Sequence, residues 1–185
     1  MEERLDSRLK EELVSSQEIF KGKIIRVQVD TVRLPDGNSA KREVVRHPGA
    51  VVILPLTDKR EVILVRQYRH ATGEILLELP AGKRDGGEDP LTCAQRELEE
   101  ETGYKASELR VLSSFYTSPG FCDELIYLVL AKGLIKGKAC PDEGEFIDVL
   151  TLPLEKAVRM VLDGEIKDAK TGFGILACSC LEEQC

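Results

Sequence analysis

The chain contains no tryptophan, and histidine is reduced to two positions, His47 and His70, in 185 residues. That scarcity leaves little for a His-based zinc centre. Cysteine is present six times, but no two cysteines form a C-x-x-C pair and their spacing fits no zinc motif. They read as free thiols of a reducing compartment. Long apolar runs are also missing: nothing approaches the roughly 20 residues that span a bilayer. The N-terminal stretch MEERLDSRLKEELVSSQ lacks the apolar core of a secretion signal, so the expected location is cytoplasmic with no membrane contact. Positive charge is short as well. Lys and Arg number 26 against 33 Asp and Glu, a net charge of −7, which argues against gripping a nucleic acid polymer. Metal chemistry in such a chain has to run on carboxylates. It therefore points to a hard cation, Mg²⁺ or Mn²⁺.

What is present suits a soluble globular domain, with 42 % hydrophobic and 32 % charged residues. The first dozen residues read as a short polar helix or a frayed tail. Ser16–Phe20 and Lys23–Leu34 are strand-like, Pro35-Asp36-Gly37-Asn38 is a turn, and Ala40–His47 returns from it, which makes 23–47 a hairpin. Ala50–Leu56 and Val62–Tyr68 are apolar runs around Thr57-Asp58-Lys59-Arg60 and look like a second hairpin. Short strands are expected at Glu74–Leu79, Leu109–Tyr116, Glu124–Ala131 and Phe146–Thr151. Helices are expected at Pro153–Leu162 and Asp168–Cys180. The clearest helix follows Asp89, a good N-cap, with Pro90 at its first position and Gly103 as its left-handed cap. Strands dominate and helices occur singly, so the class is α+β, a mixed sheet with helices outside.

The helix after Asp89 carries the most chemistry. With Glu97 at zero and about 100° per residue, Glu101 falls near about +40° and Glu100 near about −60°, beside an apolar stripe of Leu91, Ala94 and Leu98. Like charges at this spacing repel by a few tenths of a kcal/mol in water, and a divalent cation would reverse the sign. Periodicity leaves two readings open, a solvated acidic face or a cation-binding one. Glu99, on the far side, reads as solvated.

The spacing Gly82-x5-Glu88-x7-Arg96-Glu97-Leu98-x-Glu100-Glu101-x-Gly103-Tyr104 resembles the signature of the Nudix hydrolase family, with Tyr104 the one departure from an aliphatic residue. The resemblance implies the Nudix α/β/α sandwich and metal-dependent hydrolysis of a pyrophosphate bond. By position Glu97, Glu101 and the Ala81 carbonyl would hold the metal, and Glu100 would add a ligand or support one. Arg96 would steady the helix glutamates. Glu88 would be structural, and Gly82 and Gly103 would meet backbone needs.

Pro119, in Tyr116-Thr-Ser-Pro-Gly-Phe121, lies 15 positions after Tyr104. This setting is similar to the bacterial ADP-ribose pyrophosphatase subfamily. So are Lys41–Ala50, Val65–Arg69, Leu77–Gly82, the hairpin at Phe20–Gly37 and the tail Lys167-Asp168-Ala169-Lys170-Thr171. The resemblance implies hydrolysis of ADP-ribose to AMP and ribose 5-phosphate. In that subfamily Arg69 would lie near the phosphates, Glu43 and Glu78 would read adenine or ribose, and Ser118 and Gly120 would contact the terminal ribose. In the acidic loop Pro141–Phe146, Glu143 is the expected general base and Glu145 a metal ligand. The alternatives are another nucleoside diphosphate derivative as substrate, or a non-catalytic sensor on the same fold. Residues 1–47 are expected to form an N-terminal extension that builds a homodimer, with Val27, Val29 and Val32 against the partner, and 48–185 the hydrolase domain.

Overall fold

The computed structural model describes residues 8–140 and 144–182. Ten strands and three helices follow one another along them: β1 (Glu12–Lys21), β2 (Arg26–Arg33), β3 (Ser39–Arg46), β4 (Ala50–Pro55), β5 (Glu61–Arg69), β6 (Glu74–Glu78), β7 (Ala81–Lys83), α1 (Pro90–Thr102), β8 (Tyr104–Tyr116), β9 (Leu125–Lys136), β10 (Ile147–Pro153), α2 (Leu154–Leu162) and α3 (Ala169–Glu182). The chain groups into two compact units. One is Met1–Pro48 with Tyr116–Leu125, the other Gly49–Phe115 with Ile126–Cys185.

The first unit is built on an antiparallel sheet in the order β1-β2-β3. The expected hairpin is there as β2 and β3, with Arg33 opposite Ser39 across the turn. The strand before it starts earlier than Ser16, at Glu12, the last residue of the segment expected to be helix or tail. Its alternation is weak because every residue of β1 is exposed in the protomer. Residues 116–125 hold to this unit through Val45 N–H to the Phe121 carbonyl and Asp123 N–H to the Val45 carbonyl.

The second unit has two sheets, β7-β4-β9-β8 and β10-β5-β6. The first is mixed: β4 runs parallel to β9 and antiparallel to β7. Its strands are read twice, once from each face. Val51 and Ile53 of β4 with Val129 and Ala131 of β9 pack on Cys93, Ala94 and Leu98 of α1. Val52, Leu54, Leu128 and Leu130 point the other way, into a core with Val62 and Leu64 of β5, Leu154 and Ala157 of α2, and Ile175 of α3. Helix α1 thus lies over one face and α2 and α3 belong to the core of the other, the α/β/α arrangement expected.

The second expected hairpin is not one. β4 and β5 pair only at the turn, through the Leu56–Val62 bridge, and then enter different sheets. The reason is visible in their burial. All six residues of β4 and four consecutive residues of β5, Val62–Val65, are buried, so each strand needs neighbours on both sides and becomes the centre of its own sheet. β8 and β9 run longer than expected, and the three-residue β7 is an addition. Its Ala-Gly-Lys carries no strand signal and is ordered by pairing with Ala50–Val52.

Candidate active site

Helix α1 is set by its ends. The Asp89 carboxylate accepts from the backbone N–H of Leu91 and Thr92 at 3.0 and 3.1 Å. Gly103, at φ 75°, closes the helix by donating to the Glu99 carbonyl. Between these ends the apolar face fixes the rotation, and Glu97 and Glu101 are carried to its margin. Strand β7 passes them closely. A Cβ built on Gly82 would lie 1.8 Å from the Glu97 carboxyl carbon, so only glycine lets the carboxylate stand there. One residue earlier, the Ala81 N–H donates to Glu101 Oε2 at 3.1 Å.

Arg96 is the hub. It donates to Glu88 at 3.0 and 3.3 Å, to Glu97 Oε1 at 2.7 Å and to Glu100 Oε2 at 3.1 Å. The expected bond to the helix glutamates is present, and Glu88 is drawn into the same network. Its bond to Arg96 holds Glu88 below the usual carboxylate range. Glu99 faces away and pairs with Lys105, as a solvated residue should.

Burial works against charge on the two inner glutamates. It pushes Glu97 upward although Arg96 opposes it, and Glu100 and Glu145 add repulsion. Glu101 is only 5 % exposed, and burial pushes it up to about 8 despite the Ala81 N–H, with Glu97 and Glu145 as further causes. Glu145 therefore acts electrostatically on both. The neighbouring Cys93 thiol, pushed up to about 12 chiefly by burial and then by its contact with Glu88, is held protonated and unreactive.

The oxygen donors around Ala81 and Gly82 fit a hard cation in kind. They are carboxylates and a carbonyl, and the carboxylates repel one another in a buried place. Among the described residues no three His, Cys, Asp or Glu side chains are yet gathered on one point. Arg96 and the Ala81 N–H occupy oxygens that a cation would face. Glu143, the expected base, lies outside the described residues.

A second cluster in the same unit centres on Glu78. This residue, expected to read the substrate, is 1 % exposed. Arg69 engages it with two bonds of 2.7 Å, from Nε to Oε1 and from Nη2 to Oε2. Lys170 Nζ donates to it at 2.5 Å and also pairs with Asp168 at 2.9 Å. Burial opposes its charge, but Arg69 and Lys170 prevail and keep it below the usual range. The Arg69 side chain is 41 % exposed and senses the charge of Glu101. Lys170 was visible in the sequence only as part of a tail. No periodicity relates it to a residue 92 positions away.

In the other unit, Glu43, Pro119 and Gly120 line one cavity of about 420 Å³ together with Arg42 and Asp123. The Ser118 carbonyl closes the turn below by accepting from the N–H of Phe121 and Cys122. A Cβ at Gly120 would meet nothing within 4 Å, so the position opens onto free space.

The NUDIX domain profile matches residues 45–171. The chain belongs to the Nudix hydrolase family. A second profile, the nucleoside diphosphate sugar hydrolase N-terminal domain, matches residues 11–45. Among curated relatives, the Nudix chain is 46 % identical to the methanol dehydrogenase activator of Bacillus methanolicus, over 89 % of this chain and 90 % of the relative. It is 45 % identical to the ADP-ribose pyrophosphatase of Bacillus subtilis, over 90 % of this chain and 91 % of the relative. A crystal structure of an ADP compounds hydrolase superposes with a TM-score of 0.83 at 23 % identity, covering 95 % of this chain and 96 % of that one, which shows the shared fold. Nudix hydrolases generally need divalent metal ions. No helix among the described residues is long and apolar enough to cross a membrane.

Proposed function

We propose that this Nudix hydrolase cleaves the pyrophosphate bond of ADP-ribose into AMP and ribose 5-phosphate. The observation that carries the chemistry is the meeting of Glu97 and Glu101 with the Ala81–Gly82 backbone, under the control of Arg96. The similarity to the Bacillus subtilis enzyme along both chains supports the substrate.

Glu97, Glu101 and the Ala81 carbonyl would hold Mg²⁺ or Mn²⁺, with Glu145 completing the set. A cation bound there would offset charge on the pyrophosphate oxygens and acidify the attacking water. Glu100 and Arg96 orient Glu97. Arg69 turns the free edge of its guanidinium, the edge not used on Glu78, toward the phosphates. Glu143 accepts the proton of the water. Glu43, Ser118 and Gly120 are proposed to receive the nucleoside and the terminal ribose, Pro119 shaping their turn. Because the Glu78 carboxylate is buried and held by Arg69 and Lys170, it acts by holding Arg69 rather than by touching substrate.

A second substrate, another nucleoside diphosphate sugar, is favoured by the match of residues 11–45 to that N-terminal domain. One experiment separates the two. Turnover of ADP-ribose is compared with GDP-mannose, other nucleotide sugars and dinucleoside polyphosphates, in H₂¹⁸O, with Mg²⁺ or Mn²⁺. ADP-ribose is expected to give the highest kcat/KM, and the label identifies the attacked phosphorus. ADP-ribose among the poorest substrates would defeat the proposal. The same reading includes a cytoplasmic homodimer built through the N-terminal strands.

A further inference from the structure

We propose that Lys170 is a positioning residue for phosphate recognition: through the buried Glu78 carboxylate it fixes the guanidinium of Arg69 with one edge turned to an anionic ligand. The inference rests on the substrate reading above in naming a diphosphate as that ligand.

The argument starts from hydrogen-bond capacity. Glu78 lies at the end of β6 and is 1 % exposed, so water cannot satisfy its carboxylate. A buried carboxylate stays ionised only where partners replace its hydration. Arg69 alone occupies both oxygens once, in the side-on geometry that uses Nε and Nη2. Each carboxylate oxygen can accept again, and Lys170 supplies a further bond to Oε2. Lys170 is itself steadied by Asp168 at 2.9 Å. Asp168 is fixed in turn by capping α3: it accepts from the backbone N–H and the hydroxyl of Thr171 at 3.0 and 2.5 Å. The Thr171 hydroxyl also accepts from the Leu79 N–H at 2.7 Å, which ties the start of α3 to the residue after Glu78.

These links make one assembly of two cations and two anions. The start of α3 grips the end of β6, and the end of β6 grips Arg69 at the end of β5. Its charges balance internally, so Arg69 is not needed to neutralise anything beyond Glu78. Its remaining N–H groups point away from Glu78, on a side chain that keeps 41 % of its exposure. A guanidinium held by one edge offers the other without loss of side-chain entropy on binding. Without Lys170, Glu78 would keep only Arg69, and the buried carboxylate would gain by protonation or by drawing in water. Either outcome loosens the fork that aims Arg69.

The test uses the full chain and its Lys170→Met and Lys170→Arg variants, each alone and in an Arg69→Ala background. The expected result for Lys170→Met is a KM for ADP-ribose raised about tenfold, the loss of about one charge-assisted hydrogen bond, with kcat changed much less. Lys170→Arg restores KM, and Lys170→Met adds nothing once Arg69 is gone. A purely structural lysine would lower Tm and act additively in the Arg69→Ala background, which overturns the proposal. A substrate-independent readout accompanies the kinetics: the Nε–H signal of Arg69 in ¹⁵N-edited NMR of the ligand-free protein. It is expected to be protected from exchange in the wild type, where Nε donates to Glu78, and to be lost in Lys170→Met. Loss of the signal with no turnover of ADP-ribose by the wild type would refute the substrate and leave the positioning role standing. An unchanged signal in Lys170→Met refutes the positioning role whatever the substrate.

Discussion

Glu101 joins burial to function at the level of a single side chain. Its ordinary value is 4.5, and burial first of all pushes it to about 8 in the cation-free protein. The folded-state pKa lies above the unfolded one. Between these values the folded state therefore holds a proton that the unfolded state has released. Stability of the metal-free protein must fall as pH rises from about 4.5 to about 8, by at most about 1.4 kcal/mol per pH unit for this one group. Glu101→Gln removes that slope. In EDTA at pH 8 its Tm is expected to exceed the wild-type value, whereas turnover with Mg²⁺ is expected to fall at least about a thousandfold. Thermal melts from pH 5 to 8.5 check the first half and steady-state assays the second. Binding of the cation has to displace the same proton, so at limiting Mg²⁺ activity should rise with pH toward about 8 and saturating Mg²⁺ should move that limb to lower pH. A limb that ignores Mg²⁺ concentration would mean that Glu101 is not a ligand.

Helix α1 shows why its glycines are fixed and how much of this was legible. Its caps, its length and its acidic arc could be read from Asp89-Pro90, Gly103 and the spacing of the glutamates. Two close approaches could not, because they join segments far apart in the chain. Gly82 makes room for Glu97, and Gly103 makes room for the segment returning from β9. A Cβ on Gly103 would stand 2.5 Å from the Ala139 nitrogen, and the residue also needs φ 75°. That segment is tied down by Gly137 N–H to the Gly103 carbonyl at 2.7 Å and by Cys140 N–H to the Glu100 carbonyl at 3.0 Å. It leads directly into the loop of Glu143 and Glu145. Gly103→Ala is therefore expected to cost stability, about 1–3 kcal/mol from left-handed strain and collision, and to weaken Mg²⁺ dependence of turnover as well. Asp89→Ala, which removes only the N-cap, should cost about 1 kcal/mol and leave the metal dependence alone. Calorimetry and Mg²⁺ titrations of both variants test the contrast, and equal metal dependence in the two would remove the loop from the account of Gly103. Gly82→Ala belongs with the first variant in activity, since it evicts the Glu97 carboxylate directly.

Association of whole chains is expected to rest on a strand that the sequence only half disclosed. Val27, Val29 and Val32 were expected to await a partner, but Val32 is already 7 % exposed in the protomer, and Val27 and Val29 are half-buried there. β2 is the central strand of its sheet, so its two edges are paired while Val27 and Val29 keep part of their surface. Exposed apolar side chains also stand on β1, where Leu13, Val14, Ile19 and Phe20 are each more than half exposed. β1 is also an edge strand, with β2 on one side only. These four apolar side chains stand in two pairs on an edge strand that also carries Glu12, Glu18 and Lys21 and two register shifts against β2, and exposed apolar groups on such an edge are a surface for association. A second copy of the chain is the occupant proposed for it. Each copy carries a net charge of −7, so the pairing has to be driven by apolar contact against mutual repulsion. Added salt should then tighten the dimer rather than loosen it. Sedimentation at micromolar concentration is expected to show a dimer, more complete at 0.5 M than at 0.05 M NaCl, two settings that bracket roughly an 8 Å screening length. Phe20→Asp with Leu13→Lys should give monomers whose second unit melts almost unchanged, because neither residue belongs to its core. A wild-type monomer at these concentrations, or a dimer that salt dissociates, would require a different explanation for the exposed face of β1.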